Sequence, residues 1–154
     1  MAQKRLGIVV SAPDSSAVLT SIANLEQRGI PAAWLTSAGA GGADPLGALA
    51  AAALRTQHML LGTAITQTFP RHPIAVAQQV QVLAQLAPGR FRLGLGTSGR
   101  AGMEQTYGVN FRDPLGHLRE YLRIVRPCCT LGLWTLPDAI IRPTPASRRQ
   151  STCP

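Results

Sequence analysis

Charge and aromatic residues are both scarce: 14% of the 154 residues are Asp, Glu, Lys or Arg, and 5% are Phe, Trp or Tyr. No apolar run approaches the roughly 20 residues that a bilayer-spanning helix needs, so no transmembrane segment is expected. Met1-Ala2-Gln3-Lys4-Arg5 leads straight into a strand-like run without a signal-peptide apolar core, which points to the cytoplasm. Cysteine is missing until Cys128, and Cys128, Cys129 and Cys153 match no zinc spacing, so no metal site is expected. A Ser-His-Asp set and paired carboxylates at fixed spacing are also lacking. The net charge of +8 comes from basic residues scattered singly, fourteen of the fifteen being Arg. Without a basic stripe this argues against nucleic-acid binding.

What remains, 45% hydrophobic, suits an α/β protein with a large buried core. Leu6 to Val10 is a short apolar run of strand length. Ser15 or Ser16 can cap a helix carrying Val18, Ile22 and Leu25, with Gly29 as its stop. A second strand covers residues 32–36, and Asp44-Pro45 supplies a cap and first-turn proline for an alanine-rich helix to Leu54. Met59 to Thr63 reads as a third strand and Pro73 to Ala87 as a third helix. Phe91 to Leu95 reads as a fourth strand. A longer loop follows, and then a fourth helix from Pro114 with Leu115, Leu118, Leu122 and Val125 as its stripe. Four strand–helix alternations predict a parallel sheet. The first turn, Ser11-Ala12-Pro13-Asp14, lacks the glycines of a phosphate loop, which favours a closed barrel over an open doubly wound sheet. The pattern predicts about four βα units, the N-terminal half of a (β/α)8 TIM barrel, over residues 1–126.

Two segments carry a family resemblance. One is Leu61-Gly62-Thr63-Ala64-Ile65-Thr66-Gln67-Thr68-Phe69-Pro70-Arg71-His72-Pro73 with Ala75-Val76-Ala77-Gln78-Gln79, and the other is Pro88-Gly89-Arg90-Phe91-Arg92-Leu93-Gly94-Leu95-Gly96. In this order they resemble the bacterial luciferase-like monooxygenase family, particularly its coenzyme F-420-dependent oxidoreductase branch. That resemblance implies a barrel with its chemistry at the C-terminal strand ends, a cofactor that is coenzyme F-420 (FMN as the alternative), and a small-molecule substrate.

Carried over residue by residue, the resemblance makes Thr63, Ala64, Ile65 and Thr66 cofactor-binding, with a non-prolyl cis peptide at Ala64-Ile65 supporting the ring. Gly96, Thr97, Ser98 and Arg100 form the second cofactor-binding segment. There the glycine admits a flat ring, the hydroxyls meet its polar edge, and Arg100 meets a phosphate or acidic tail. Relatives often have histidine where Gly99 stands, so an acid–base role for this loop lacks its side chain. Trp34 is assigned to the substrate pocket, with core packing as the alternative. Arg71 and His72 shape a helix entry, Glu104, Tyr107 and His117 are surface or packing residues, and His58 is structural. No catalytic side chain is assigned, in keeping with a family whose cofactor performs the chemistry.

Residues 127–154 lose all periodicity and are expected to be irregular. Back-translated and read from the third codon base, the Cys128/Cys129 junction must encode Leu and the Trp134/Thr135 junction must encode Asp. Both match the relatives' continuation. This predicts a one-base frame slip near codon 127, from a sequencing error or a pseudogene, and hence a truncated barrel with impaired activity. The expected functions are hydride transfer with coenzyme F-420, an FMN-dependent monooxygenase, or an inactive half-barrel that forms a homodimer.

Overall fold

The structure, a computed structural model, describes residues 6–37 and 42–131. The strands are β1 (Gly7–Val10), β2 (Ala32–Leu35), β3 (Leu60–Thr63), β4 (Thr66–Gln67), β5 (Phe91–Arg92) and β6 (Leu95–Gly96). The helices are α1 (Ser15–Gln27), α2 (Pro45–Ala53), α3 (Pro73–Leu86), α4 (Arg100–Tyr107) and α5 (Pro114–Leu131). Strands β1, β2, β3 and β5 form one parallel sheet in that order, and β4 pairs in parallel with β6. Parallel neighbours joined through helices are what the alternating sequence pattern demands.

The period-two alternation of each strand sorts its side chains onto two faces. Val10, Ala33, Leu35 and Leu61 are buried against Val18, Ile22, Leu46, Leu49, Val76, Val80 and Leu83 of the helices. The opposite face carries the row Val9, Trp34, Gly62 and Arg92. A methyl group on Gly62 or on Gly7 would run into the Trp34 indole, so both glycines make room for that ring to lie across the sheet. Val9 remains 56% exposed on this side, and Leu6, just before β1, is 61% exposed.

The helix starts follow capping chemistry. Asp14, one position before the expected serines, caps α1 by accepting the N–H of Ala17 at 2.8 Å. Asp44 caps α2 ahead of Pro45, and Gly29 ends α1 with φ +76°. His72 caps α3, its Nδ1 accepting from Ile74 N–H at 3.3 Å.

Four expectations need correction. The fourth strand is broken in two at Leu93-Gly94, and the third, which runs as expected to Thr63, is followed past Ala64-Ile65, whose peptide is cis as the resemblance implies, by the unexpected short strand β4. Residues 100–107, expected to be loop, form α4, which ends on Gly108 in the left-handed conformation. Of the expected α5 stripe Val125 is buried and Leu118 half-buried, but Leu115 is 67% and Leu122 45% exposed, and the buried side is completed by Tyr121, Ile124 and Cys128. The aromatic ring of Tyr121 takes the core side, and Leu122 turns towards a groove beside Phe91, Leu93 and Leu95. Finally, α5 continues through Pro127 to Leu131, past the expected boundary at Arg126. Residues 132–154, the rest of the predicted out-of-frame tail, lie outside the described residues.

Candidate functional site

The C-terminal ends of β2, of β3–β4 and of β6 meet at Ile65. Ser37, just beyond β2, donates its N–H to the Ile65 carbonyl at 3.2 Å and its hydroxyl to the same oxygen at 2.9 Å. From the other side, Thr66 N–H donates to Gly94 O at 2.8 Å and Thr68 N–H to Gly96 O at 3.0 Å. The close approach at Gly96 needs its missing side chain, because a Cβ there would stand 3.0 Å from Ile65 Cδ1. Three strand ends are thus locked into one rim.

The predicted cofactor residues divide by accessibility. Ala64 is exposed, Ile65, Gly96 and Thr97 are half-buried, and Ser98 is exposed in the left-handed conformation at φ 60°. These five form an accessible strip. Thr63 and Thr66, 1% and 0% exposed, lie beneath it. The Thr63 hydroxyl donates to Gly94 O at 2.8 Å and accepts from Gly94 N–H at 2.9 Å, so it staples the two strands together. The buried Thr66 hydroxyl has no hydrogen-bond partner within the described protein. Arg100 opens α4, forms an ion pair with Glu104 at 3.1 Å, and lies 5.4 Å from the Phe111 ring centroid.

Trp34 does not reach this rim. It lines a cavity of about 910 Å³ with Leu6, Pro31, His58, Leu60 and Arg92, residues at or near the N-terminal ends of the strands. Arg71, beside the rim, pairs with Asp44 at 3.0 Å. Arg90 of the Gly89-Arg90-Phe91 motif donates to Thr56 Oγ1, Met59 O and Thr56 O at 3.1–3.2 Å. It fastens the end of α2 to the start of β3 and plays no part in the rim.

Two features are not visible in the sequence. Ser37 stands there only as the start of a loop. Phe69 stacks behind the rim with Phe111 and His117, which lie more than forty residues further along the polypeptide. Burial lowers the His117 pKa, while a backbone hydrogen bond at Thr68 and the charge of Glu120 act the other way. Burial raises the Tyr121 pKa strongly, and Arg71 opposes that rise. The His117 Nε2 and the Tyr121 hydroxyl are buried without partners within the described protein. Among the described residues no cluster of His, Cys, Asp or Glu can hold a metal ion, and no helix is long and apolar enough to cross a membrane.

The break between β3 and β4, the glycine-admitted contact at Gly96 and the order of the motif residues converge on one known group. A family model described as luciferase-like monooxygenase matches residues 2–148. The chain belongs to the luciferase-like family. Among its relatives is Rv3520c of Mycobacterium tuberculosis, provisionally named a coenzyme F420-dependent oxidoreductase. It is 42% identical over 90 residues, which cover 58% of this chain and 26% of that protein. The coenzyme F420-dependent tetrahydromethanopterin reductase of Methanopyrus kandleri superposes with a TM-score of 0.67 at 26% identity, over 82% of this chain and 40% of that one. The oxygenating constituent of 3,6-diketocamphane monooxygenase from Pseudomonas putida has a TM-score of 0.70 at 19% identity, over 79% of this chain and 39% of that one; this likeness concerns fold alone. The luciferase-like chain is therefore α/β, part of a (β/α)8 barrel, and spans about a quarter of the length of Rv3520c.

Proposed function

We propose that this luciferase-like protein carries the ring-binding rim of an oxidoreductase that moves hydride between coenzyme F-420 and a small organic substrate. The observation that carries the reading is the junction at Ile65. It leaves Ala64 and the Gly96–Ser98 backbone accessible at one edge, where barrel enzymes bind their ligands. The residues fit a flat ring: the strip offers main chain, a small Ala64 side chain and the hydroxyls of Thr97 and Ser98. Ile65 would support the ring, Thr97 and Ser98 would meet its polar edge, and Arg100 would meet an anionic tail. Thr63 and Thr66 act beneath the rim by holding the strands in place. Bound there, the deazaflavin supplies the ring carbon that gives or receives hydride. The protein's own contribution is to orient that ring and to cover one face of it. The relative Rv3520c and the Methanopyrus kandleri reductase support F-420 over FMN, both being named for it.

Titrating the 154-residue protein with coenzyme F-420 and with FMN, followed by ring fluorescence, tests the reading. Tighter binding of F-420 is expected. Preference for FMN would replace it with the FMN-dependent monooxygenase alternative. Binding of neither would favour the non-enzyme reading, a half-barrel whose β1 and β5 edges, unpaired on their outer sides among the described residues, and exposed Leu6 and Val9 are covered by a second copy. Sedimentation velocity would then show a dimer.

A further inference from the structure

Behind the rim a column of rings joins the β4–α3 loop to the α4–α5 region. The His117 ring of α5 stacks on Phe69, in the β4–α3 loop, with centroids 4.0 Å apart and planes at 14°. Phe69 stacks in turn on Phe111 of the α4–α5 loop, at 4.5 Å and 27°. Beyond Phe111 the guanidinium carbon of Arg100 stands 5.4 Å from the ring centroid. Both ends return to the same rim strand. The His117 imidazole lies close enough to the Thr68 backbone to feel it, and Thr68 holds Gly96 O through its N–H at 3.0 Å and its hydroxyl at 3.3 Å. Arg100 closes the circuit four positions after Gly96. The loop so enclosed contains Ser98 in the left-handed conformation, which a serine keeps only where its surroundings impose it.

We propose that Phe69, Phe111 and His117 are positioning residues that brace the Gly96–Arg100 loop and hold Arg100 at the rim, so that the site prefers rings carrying an anionic phosphoryl tail. The other restraint on Arg100, its i,i+4 pair with Glu104, is solvent-exposed at both partners and holds a long side chain only weakly. A guanidinium over an aromatic face keeps its N–H fork free for a phosphoryl group, whereas a tight carboxylate pair would occupy it. Phe111 is 6% exposed, so its ring is fixed by packing and can serve as a platform.

The inference rests on the ring-binding reading above, and its test separates the two. Coenzyme F-420 and the deazariboflavin that carries the same ring without the phosphoryl tail are titrated against the full-length protein and its variants. The unmodified protein should bind coenzyme F-420 about tenfold more tightly than the tail-less ring. Phe111→Leu and Phe69→Leu should reduce that advantage to about twofold, weakening coenzyme F-420 more than the tail-less ring, and Glu104→Gln should preserve it. An undiminished advantage in Phe111→Leu overturns the proposal while the ring site stands. Loss in Phe111→Leu but not in Phe69→Leu also overturns it, because a single contact would then replace the column. If neither ring binds, the ring-binding reading falls, and the brace is judged by proton NMR. The Arg100 side-chain protons should be shifted by the Phe111 ring current, and His117→Leu and Phe69→Leu should both move them. Unshifted protons in the unmodified protein overturn the brace as well. Circular dichroism melts of each variant report whether it is folded.

Discussion

The carboxylate of Glu26, in the last turn of α1, accepts the backbone N–H of Met59 at 2.8 Å, directly before β3. The same carboxylate takes the N–H groups of His58 and Gln57 at 2.8 and 3.0 Å, so one side chain satisfies three successive donors in the turn that launches the third strand. Register of β3 decides where Ile65 falls, which makes this distant staple part of the architecture of the site.

The first prediction concerns acid stability. Partial burial alone would raise the Glu26 pKa, but the three backbone hydrogen bonds and the nearby His58 outweigh it, and the net shift is downward. A carboxylate whose folded pKa is depressed contributes stability above its unfolded pKa and loses it as pH falls through the folded value. The stability from Glu26 is thus present at neutral pH and disappears below the usual carboxylate range. Glu26→Gln should lower unfolding stability at pH 7 by about 1 kcal/mol, a figure discounted for solvent screening. Urea unfolding at pH 7 and pH 3 checks it: the gap between variant and parent should shrink at pH 3. An equal gap at both pH values would mean that charge plays no part.

The second prediction concerns the Trp34 ring. A Cβ on Gly62 would collide with the indole and would also approach Arg92 O at 3.0 Å. Gly62→Ala should therefore push the indole off the sheet and cost about 1–3 kcal/mol through overpacking. In a Trp134→Phe background, tryptophan fluorescence belongs to Trp34 alone, and a shift in its emission maximum reports the movement. An unchanged spectrum with unchanged stability would show that the sheet relaxes instead.

Much of this architecture was legible in the sequence, for reasons of local chemistry. The helices α2 and α3 announce themselves through Asp44-Pro45 and His72-Pro73, where a cap and a first-turn proline act within a few residues. The strands of the main sheet follow from short apolar runs. What was not legible depends on contacts between distant segments. Tyr121 rather than Leu122 faces the core because of where α3 and the sheet stand, which helical periodicity cannot report. The burial of Thr63 and Thr66 below the rim depends on pairing with Gly94 and Leu95. The ring column joins residues 69, 100, 111 and 117, and no spacing rule connects them.

The third prediction joins the helix to the reading frame. Pro127 lies inside α5 and cannot donate to the Arg123 carbonyl one turn earlier. A proline in a helix interior costs about 3 kcal/mol, so Pro127→Ala should raise unfolding stability by up to about that amount. Resequencing the gene across codon 127 should in addition reveal a one-base slip, because the shifted frame replaces the Cys128/Cys129 junction with Leu and the Trp134/Thr135 junction with Asp. An uninterrupted frame encoding the tail as written would remove the frame-slip proposal, while the stability prediction would be judged separately by thermal melts.

The last prediction addresses the rim itself. Gly96→Ala places a methyl group 3.0 Å from Ile65 Cδ1, closer than packed carbons normally come. Ile65 must yield, and it is the residue at which Ser37 and the Gly94–Gly96 segment are joined. The fold should tolerate this, because Gly96 and Ile65 are only half-buried and solvent offers Ile65 somewhere to go. Ring affinity should fall at least about tenfold, since a flat ligand depends on close main-chain approach along its whole face. Gly99→Ala is the matched control, for its Cβ would meet nothing within 4 Å. Fluorescence titration with coenzyme F-420 compares the two. Equal affinities would show that the ring does not lie on the Ile65–Gly96 strip, and the ring site would have to be sought elsewhere on the barrel.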